Sequence, residues 1–290
     1  MAVRVAVVAL LLAATGCGPP APPPGKPSWP TLEPTDASYN ARVVALRTSL
    51  GRAAIALEMR GARETIRSSA CTDPEARSNQ TGCARCELAG ESDHLDEATL
   101  DGVRTAFDRY PASFLVASGI ERVALCKHIE YEDIQREQLT AGTVDYQQRR
   151  LFVSVEPFLG RVYDAAGAFT AEDIVHHELF HLIEWQHMRD EMDDPEWRLQ
   201  NPIGFEYRAG GADGERPTGF VDAYAASNEI EDRASTFQYL MARPAELCAI
   251  AAQDPAVRAK ARLIWERVAA IDGVDWLRTR ALCGGAPSGE

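Results

Sequence analysis

Residues 177–181 read His-Glu-Leu-Phe-His. Histidines four residues apart on a helix lie one turn apart on the same face, so both imidazoles can reach one metal ion. The glutamate between them is rotated away from that pair, yet stays near a water bound to the metal. Zinc lowers the pKa of such a water, and a carboxylate beside it can take the proton. The pattern points to zinc-assisted hydrolysis, with His177 and His181 as ligands and Glu178 as general base. Two half-buried structural histidines would give the same letters. Catalytic zinc takes three protein ligands plus water, so a third group must come from elsewhere in the chain.

The element that must carry this motif is a helix over about 171–188. Thr170 and Asp173 fit a capping box, and Glu172 with Asp173 suits the positive helix end. Ile174, Val175, Phe180, Leu182 and Ile183 supply apolar faces. His176 has Phe180 at its i+4 position and fails the spacing test, and His187 lies off the face of His177 and His181. Both read as surface or supporting residues. Glu184, one turn beyond His181, reads as a solvated helix carboxylate ahead of a ligand.

A third ligand is sought in 219–235, GFVDAYAASNEIEDRAS. Phe220 to Tyr224 looks like a short strand, and Ser227 or Asn228 can cap a helix continuing past Phe237. Tyr224 followed by Asn228, Glu229, Glu231, Asp232 and Ala234 resembles the Y-x-x-x-N-E-x-E-[DF]-x-A segment of gluzincin peptidases. The anthrax lethal factor catalytic domain and bacterial zinc-binding metallopeptidases share that arrangement. The resemblance covers roughly 150–242 and implies a zinc ligand seven residues after the tyrosine, at Glu231, with Tyr224 stabilising the transition state. It also implies a glutamate four residues past the ligand, where this chain has Ser235.

Two alternatives stay open. Asn228 and Glu231 also form a helix-capping pair. Glu229 rivals Glu231 because Asn-Glu opening a helix is similar to the thermolysin-type motif, although that motif wants an aspartate where Arg233 stands. Asp232 reads either as a residue supporting the metal site or as a first-turn carboxylate.

Residues 1–16 have the layout of an export signal: Arg4, an apolar run from Val5 to Ala14, then small residues before Cys17. The run is too short for an ordinary membrane span. Small residues leading into cysteine resemble the bacterial lipoprotein box, with Ala14 where leucine is commoner. That resemblance implies lipidation of Cys17, and residues 17–36 then form a proline-rich tether. The expected location is the bacterial cell envelope, on the outer membrane or cell surface. Six further cysteines, Cys71, Cys83, Cys86, Cys126, Cys248 and Cys283, suit disulfides in an exported protein. A thiolate zinc site from the first four is the alternative.

The net charge of −13 argues against a nucleic-acid partner, since phosphates need a basic face. Residues 37–68 show mostly helical spacing, 69–94 read as a loop, and a helix is expected over about 96–109. Runs 121–129 and 150–155 read as strands, paired as a hairpin or within one small sheet. The later run could pair with an extended peptide. The stretch 189–218 is irregular and either walls the cleft or is a surface excursion. Residues 246–283 look helical.

These elements predict an α+β fold with a small, mostly antiparallel sheet, and the two zinc-bearing helices make it zincin-like. A helical, cysteine-bearing part over 37–118 precedes a zincin-like part over 119–290, the two forming either one domain or two. The expected activity is cleavage of a peptide or protein substrate through one Zn2+. A zincin-like envelope protein that binds without cutting, or a structural lipoprotein, would share many of these features.

Overall fold

The chain is described by a computed structural model over residues 36–59, 64–73, 82–90, 97–132, 139–155, 169–188, 194–208, 216–271, 276–277 and 283. The signal segment, Cys17 and the tether up to residue 35 lie outside these residues. No helix among the described residues is long and apolar enough to cross a membrane.

Helices and a mixed sheet give an α+β fold. The helices are α1 (Asp36–Gly51), α2 (Glu97–Asp108), α3 (Ala112–Ala117), α4 (Ala171–Ile183), α5 (Pro195–Arg198), α6 (Glu229–Ala242), α7 (Pro244–Gln253) and α8 (Pro255–Ala269). The strands are β1 (Ala56–Glu58), β2 (Thr65–Arg67), β3 (Ala84–Leu88), β4 (Arg122–Tyr131), β5 (Leu139–Thr140), β6 (Gly142–Asp145) and β7 (Arg150–Ser154).

The long β4 organises the sheet, whose main order is β2-β3-β4-β7-β6. Its first half pairs in parallel with β1 on one side and β7 on the other, through Val123↔Leu57 and Val123↔Leu151. Its second half pairs antiparallel with β3 and β5. Four of the six pairings are antiparallel and two are parallel. The expected strands over 121–129 and 150–155 therefore share one sheet but make no hairpin.

This topology corrects the peptide-pairing expectation. Strand β7 has β4 on one side and β6 on the other, so its backbone groups are already used. The edge on that side is β6, which has no second strand partner among the described residues.

Other expectations failed where local spacing met a backbone break. The helical pattern of 37–68 stops at Gly51, where Ala54 takes a left-handed φ of 57° and turns the chain into β1. Within the expected loop 69–94, Ala84, Cys86 and Leu88 alternate inward along β3. Phe220 to Tyr224 is no strand: bends lead into a 3-10 turn, Tyr224–Ala226. The C-terminal segment is two helices, because Asp254 caps α8 and Pro255 opens it.

Cysteines pair as Cys71–Cys83, Cys86–Cys126 and Cys248–Cys283, which removes the thiolate zinc alternative. Cys86–Cys126 joins β3 to β4, and Cys71–Cys83 ties a 3-10 turn to the start of β3. One apolar core draws on Val43, Leu46 and Phe107 and also on Val175, Leu179, Phe237 and Ile264. Helix α4 thus lies with its apolar side in the core, which fixes where its histidines face.

Candidate metal centre

Helix α4 begins with the capping box its sequence announces. Thr170 Oγ1 accepts the Asp173 N–H, and the Thr170 N–H donates to Asp173 Oδ2 at 2.8 Å. Asp173 also receives Nε and Nη2 of Arg243, each at 2.8 Å, so the helix start is tied to the end of α6. Burial alone would raise the Asp173 carboxyl; the Arg243 and Thr170 bonds outweigh it and hold it below the usual carboxylate range. Phe180 of α4 packs on Phe237 of α6, with ring centroids 4.9 Å apart.

That packing brings Glu231 to the two histidines. His177 Nε2 lies 2.8 Å and His181 Nε2 3.5 Å from Glu231 Oε2, and one ligand atom from each residue falls within 4.8 Å of the others. Asn228 caps α6 by accepting the Glu231 N–H at 2.9 Å. The Glu231 backbone thus serves the cap while its carboxylate faces the histidines, so the capping and clustering readings are both realised.

His177 is oriented from behind. Its Nδ1 lies 3.2 Å from Gln238 Oε1, and Gln238 Nε2 donates to Asp173 Oδ1 at 3.5 Å. Asp173 can only accept, so the Gln238 amide group must face it and the Gln238 oxygen must face His177. With a metal at the cluster, His177 would carry its proton on Nδ1 and present an Nε2 lone pair to the ion. Gln238 escaped the sequence reading, although it lies seven residues after Glu231 and so on the same helix face.

The three side chains interact strongly with one another. Burial alone would raise the Glu231 carboxyl, but His181 and His177 outweigh it and hold Glu231 well below the usual carboxylate range. Burial lowers His181, yet Glu231 outweighs it and raises the imidazole to about 9. Burial pushes the Glu178 carboxyl up against the pull of both histidines. His181 Nδ1 and Ser235 Oγ are buried without a hydrogen-bond partner. Two imidazole nitrogens and one carboxylate, converging and largely buried, are the donor chemistry of a three-ligand zinc site.

Glu178 is half-buried, and strand β6 presses against it. A Cβ placed on Gly142 would stand 2.7 Å from Glu178 Cγ and 2.6 Å from Ile174 Cγ2. Tyr224 sits in the 3-10 turn, its ring centroid 5.9 Å from that of His177. The buried Asp222 holds this turn by accepting the Ala225 N–H at 2.7 Å. An aspartate at the head of a turn is a readable signal that the sequence analysis passed over.

The rival carboxylates go elsewhere. Glu229 accepts from Arg233 Nη1 and from the Asp194 N–H, each at 2.7 Å. Glu184 is buried and paired with Arg233 Nε, not solvated, and the cluster of His177, His181 and Glu231 does not include it. Asp232 binds Lys260 Nζ at 2.7 Å, Trp197 Nε1 at 2.9 Å and Tyr207 Oη at 2.9 Å, and no hydrogen bond joins it to His177 or His181. Burial raises the Asp232 carboxyl to about 6 against the pull of Lys260. Its place is thus the first turn of α6, where it anchors α8 and the 194–208 segment.

Through Trp197 and Tyr207 that segment is packed onto α6; residues 189–193 and 209–215 lie outside the described residues. His176 is buried, with Nδ1 2.6 Å from Tyr110 Oη, while the exposed His187 meets the Ala117 carbonyl oxygen. A cavity of about 510 Å³ opens beside Glu184, Met188, Arg233 and Ile271; His177, His181 and Glu231 do not line it.

No protein-family model matches the chain, and no curated protein matches it in sequence. Among solved structures, one described as a "putative zinc-binding metallo-peptidase" from Bacteroides caccae aligns over 84% of this chain and 90% of its own. The identity is 15% and the TM-score 0.45, a likeness that fixes neither the fold nor the chemistry of this chain.

Proposed function

We propose that this chain is a zinc-dependent peptidase, held in the cell envelope of a bacterium through a lipid on Cys17. The observation that carries the catalytic part is the meeting of His177, His181 and Glu231 within 4.8 Å, with Glu178 on the same helix. These three residues would hold the zinc ion, which would supply Lewis acidity and make a water acidic enough to attack near neutral pH.

The chain's own residues supply the rest. Glu178 takes the proton of the attacking water and passes it to the departing amine. Tyr224 offers its hydroxyl to the oxygen on which negative charge develops. Gln238 keeps His177 in one tautomer and one orientation. An extended peptide can lie along β6, the sheet edge that packs on the helix carrying Glu178.

The location rests on the sequence of residues 1–17 and on three cysteine pairs that suit an oxidising compartment. The test is Glu178→Gln in the full-length protein, with zinc measured by elemental mass spectrometry and cleavage of a broad peptide library followed with and without chelator. The wild type should hold one zinc and cut in a chelator-sensitive way; the variant should keep its zinc and lose cleavage. Turnover retained in the variant overturns the role of Glu178. A zinc-loaded wild type that cuts nothing points instead to a binding protein.

A further inference from the structure

Arg233 is 1% exposed and follows Glu231 by two residues. Its Nε donates to Glu184, and its Nη1 donates to Glu229 at 2.7 Å. Nη1 also lies 3.9 Å from Asp194, which is paired with Arg267 of α8. Glu184 follows His181 by three residues, and Glu229 precedes Glu231 by two. One guanidinium therefore joins the segment just past the histidine pair to the turn that presents the carboxylate.

The arrangement calls for a reason other than stability. Burying an arginine with two glutamates carries a desolvation cost that their attraction barely repays, and apolar residues of similar size often fold as well or better. The helices are already held together by Phe180 against Phe237. Apolar packing tolerates sliding and rotation of one helix on the other. A planar guanidinium bound along two of its edges does not, because its donors have fixed directions.

We propose that Arg233 is a positioning residue: bound to Glu184 and Glu229, it sets the reach of Glu231 toward His177 and His181 and so preorganises the metal site. The proposal rests on the zinc reading of that site. A positional role and a field effect of Arg233 have opposite signs. As a nearby positive charge alone, Arg233 weakens zinc binding, and its removal would tighten it. As a positioning residue, its removal weakens binding.

The test compares wild type, Arg233→Met, Arg233→Lys and the double variant Glu184→Gln/Arg233→Met, which leaves the net charge of the cluster unchanged. Zinc Kd is measured by chelator competition, the visible spectrum is taken on the cobalt-substituted protein, and circular dichroism reports the fold. Kd should rise about 10- to 100-fold in the double variant, with altered cobalt bands and retained helix content. Arg233→Lys, which keeps the charge but loses the fork, should show a smaller rise.

A folded double variant with wild-type Kd and cobalt bands overturns the proposal, as does tighter zinc binding in Arg233→Met. Should the double variant not fold, an unchanged Kd and spectrum in Arg233→Lys overturns it instead. A wild-type chain that binds neither zinc nor cobalt overturns the metal reading itself, and the proposal with it.

Discussion

On the peptidase reading, Gly142→Ala separates the proposed general base from the proposed metal ligands. The added methyl carbon would lie 2.6 Å from Ile174 Cγ2, 2.7 Å from Glu178 Cγ and 2.9 Å from Glu178 Oε1. Carbon atoms in ordinary contact stand about 3.5–4.0 Å apart, so roughly 1 Å must be relieved. Ile174 is buried in an apolar cluster with Phe169, Ala141 and Phe220, whereas Glu178 is half-buried. Ile174 must yield as well, but Glu178 is the softer neighbour and should move further.

Overpacking of this kind costs about 1–3 kcal/mol of stability. A catalytic group displaced by about 1 Å loses on the order of 100-fold in rate. The nearest atoms belong to Ile174 and Glu178 and not to the three ligands, so zinc content should stay at the wild-type value. Thermal unfolding, elemental mass spectrometry and peptide-library cleavage measure the three quantities on one preparation. A variant with full zinc and wild-type cleavage refutes the claim that β6 restrains Glu178. A folded variant that has lost its zinc refutes the separation of base from ligands.

Gln238→Leu should leave His177 Nδ1 without its acceptor and weaken zinc binding about 10- to 100-fold, read by chelator competition. Asp173→Asn should lower stability at pH 7 by about 3 kcal/mol through loss of the Arg243 pair, measured by urea unfolding. The folded Asp173 carboxyl titrates below its unfolded value of about 3.9, so its contribution is present above that pH. The gap between wild type and variant should narrow as pH falls below about 3.9, and a constant gap down to pH 2 would exclude the pair as its source. Replacing Cys86 and Cys126 together by serine opens a cross-link spanning 40 residues and should cost about 4 kcal/mol by loop entropy, seen in the same unfolding experiment.

What the sequence announced correctly was local. The Thr170–Asp173 box, the one-turn spacing of His177 and His181, and the Asn228 cap each depend on residues within four positions of one another. What it left open depended on partners far along the chain. Glu229 and Glu231 are equally suited to a metal by residue type. The choice is made by Arg233, which takes Glu229 at i+4, and by Asp194, whose N–H takes the same oxygen. The first of those partners was visible as a helix ion pair; the second was not. Glu184 looked solvated because its own helix gives it no partner, and only the packing of α6 on α4 supplies one. Strand β3 was hidden differently: its alternation was present, but arginine, cysteine and glutamate in the run gave it the composition of a loop.

The course of the sheet was beyond reach for the same reason, and it changes the account of the site. An edge strand must leave one row of backbone groups unpaired, which no single-strand pattern encodes. By placing β6 outside β7, the fold moves any peptide-binding edge from 150–154 to 142–145. That shift brings Gly142 against Glu178, so on the peptidase reading the strand that would receive the substrate backbone also confines the base that acts on it. A side chain at 142 would separate those two roles at once. The absence of a Cβ there follows from close approach and not from backbone conformation, since Gly142 takes no positive φ. The constraint on residue 142 is therefore set by Glu178 and Ile174 together across the gap, and an alanine at 142 should become tolerable for folding only where both side chains are shortened.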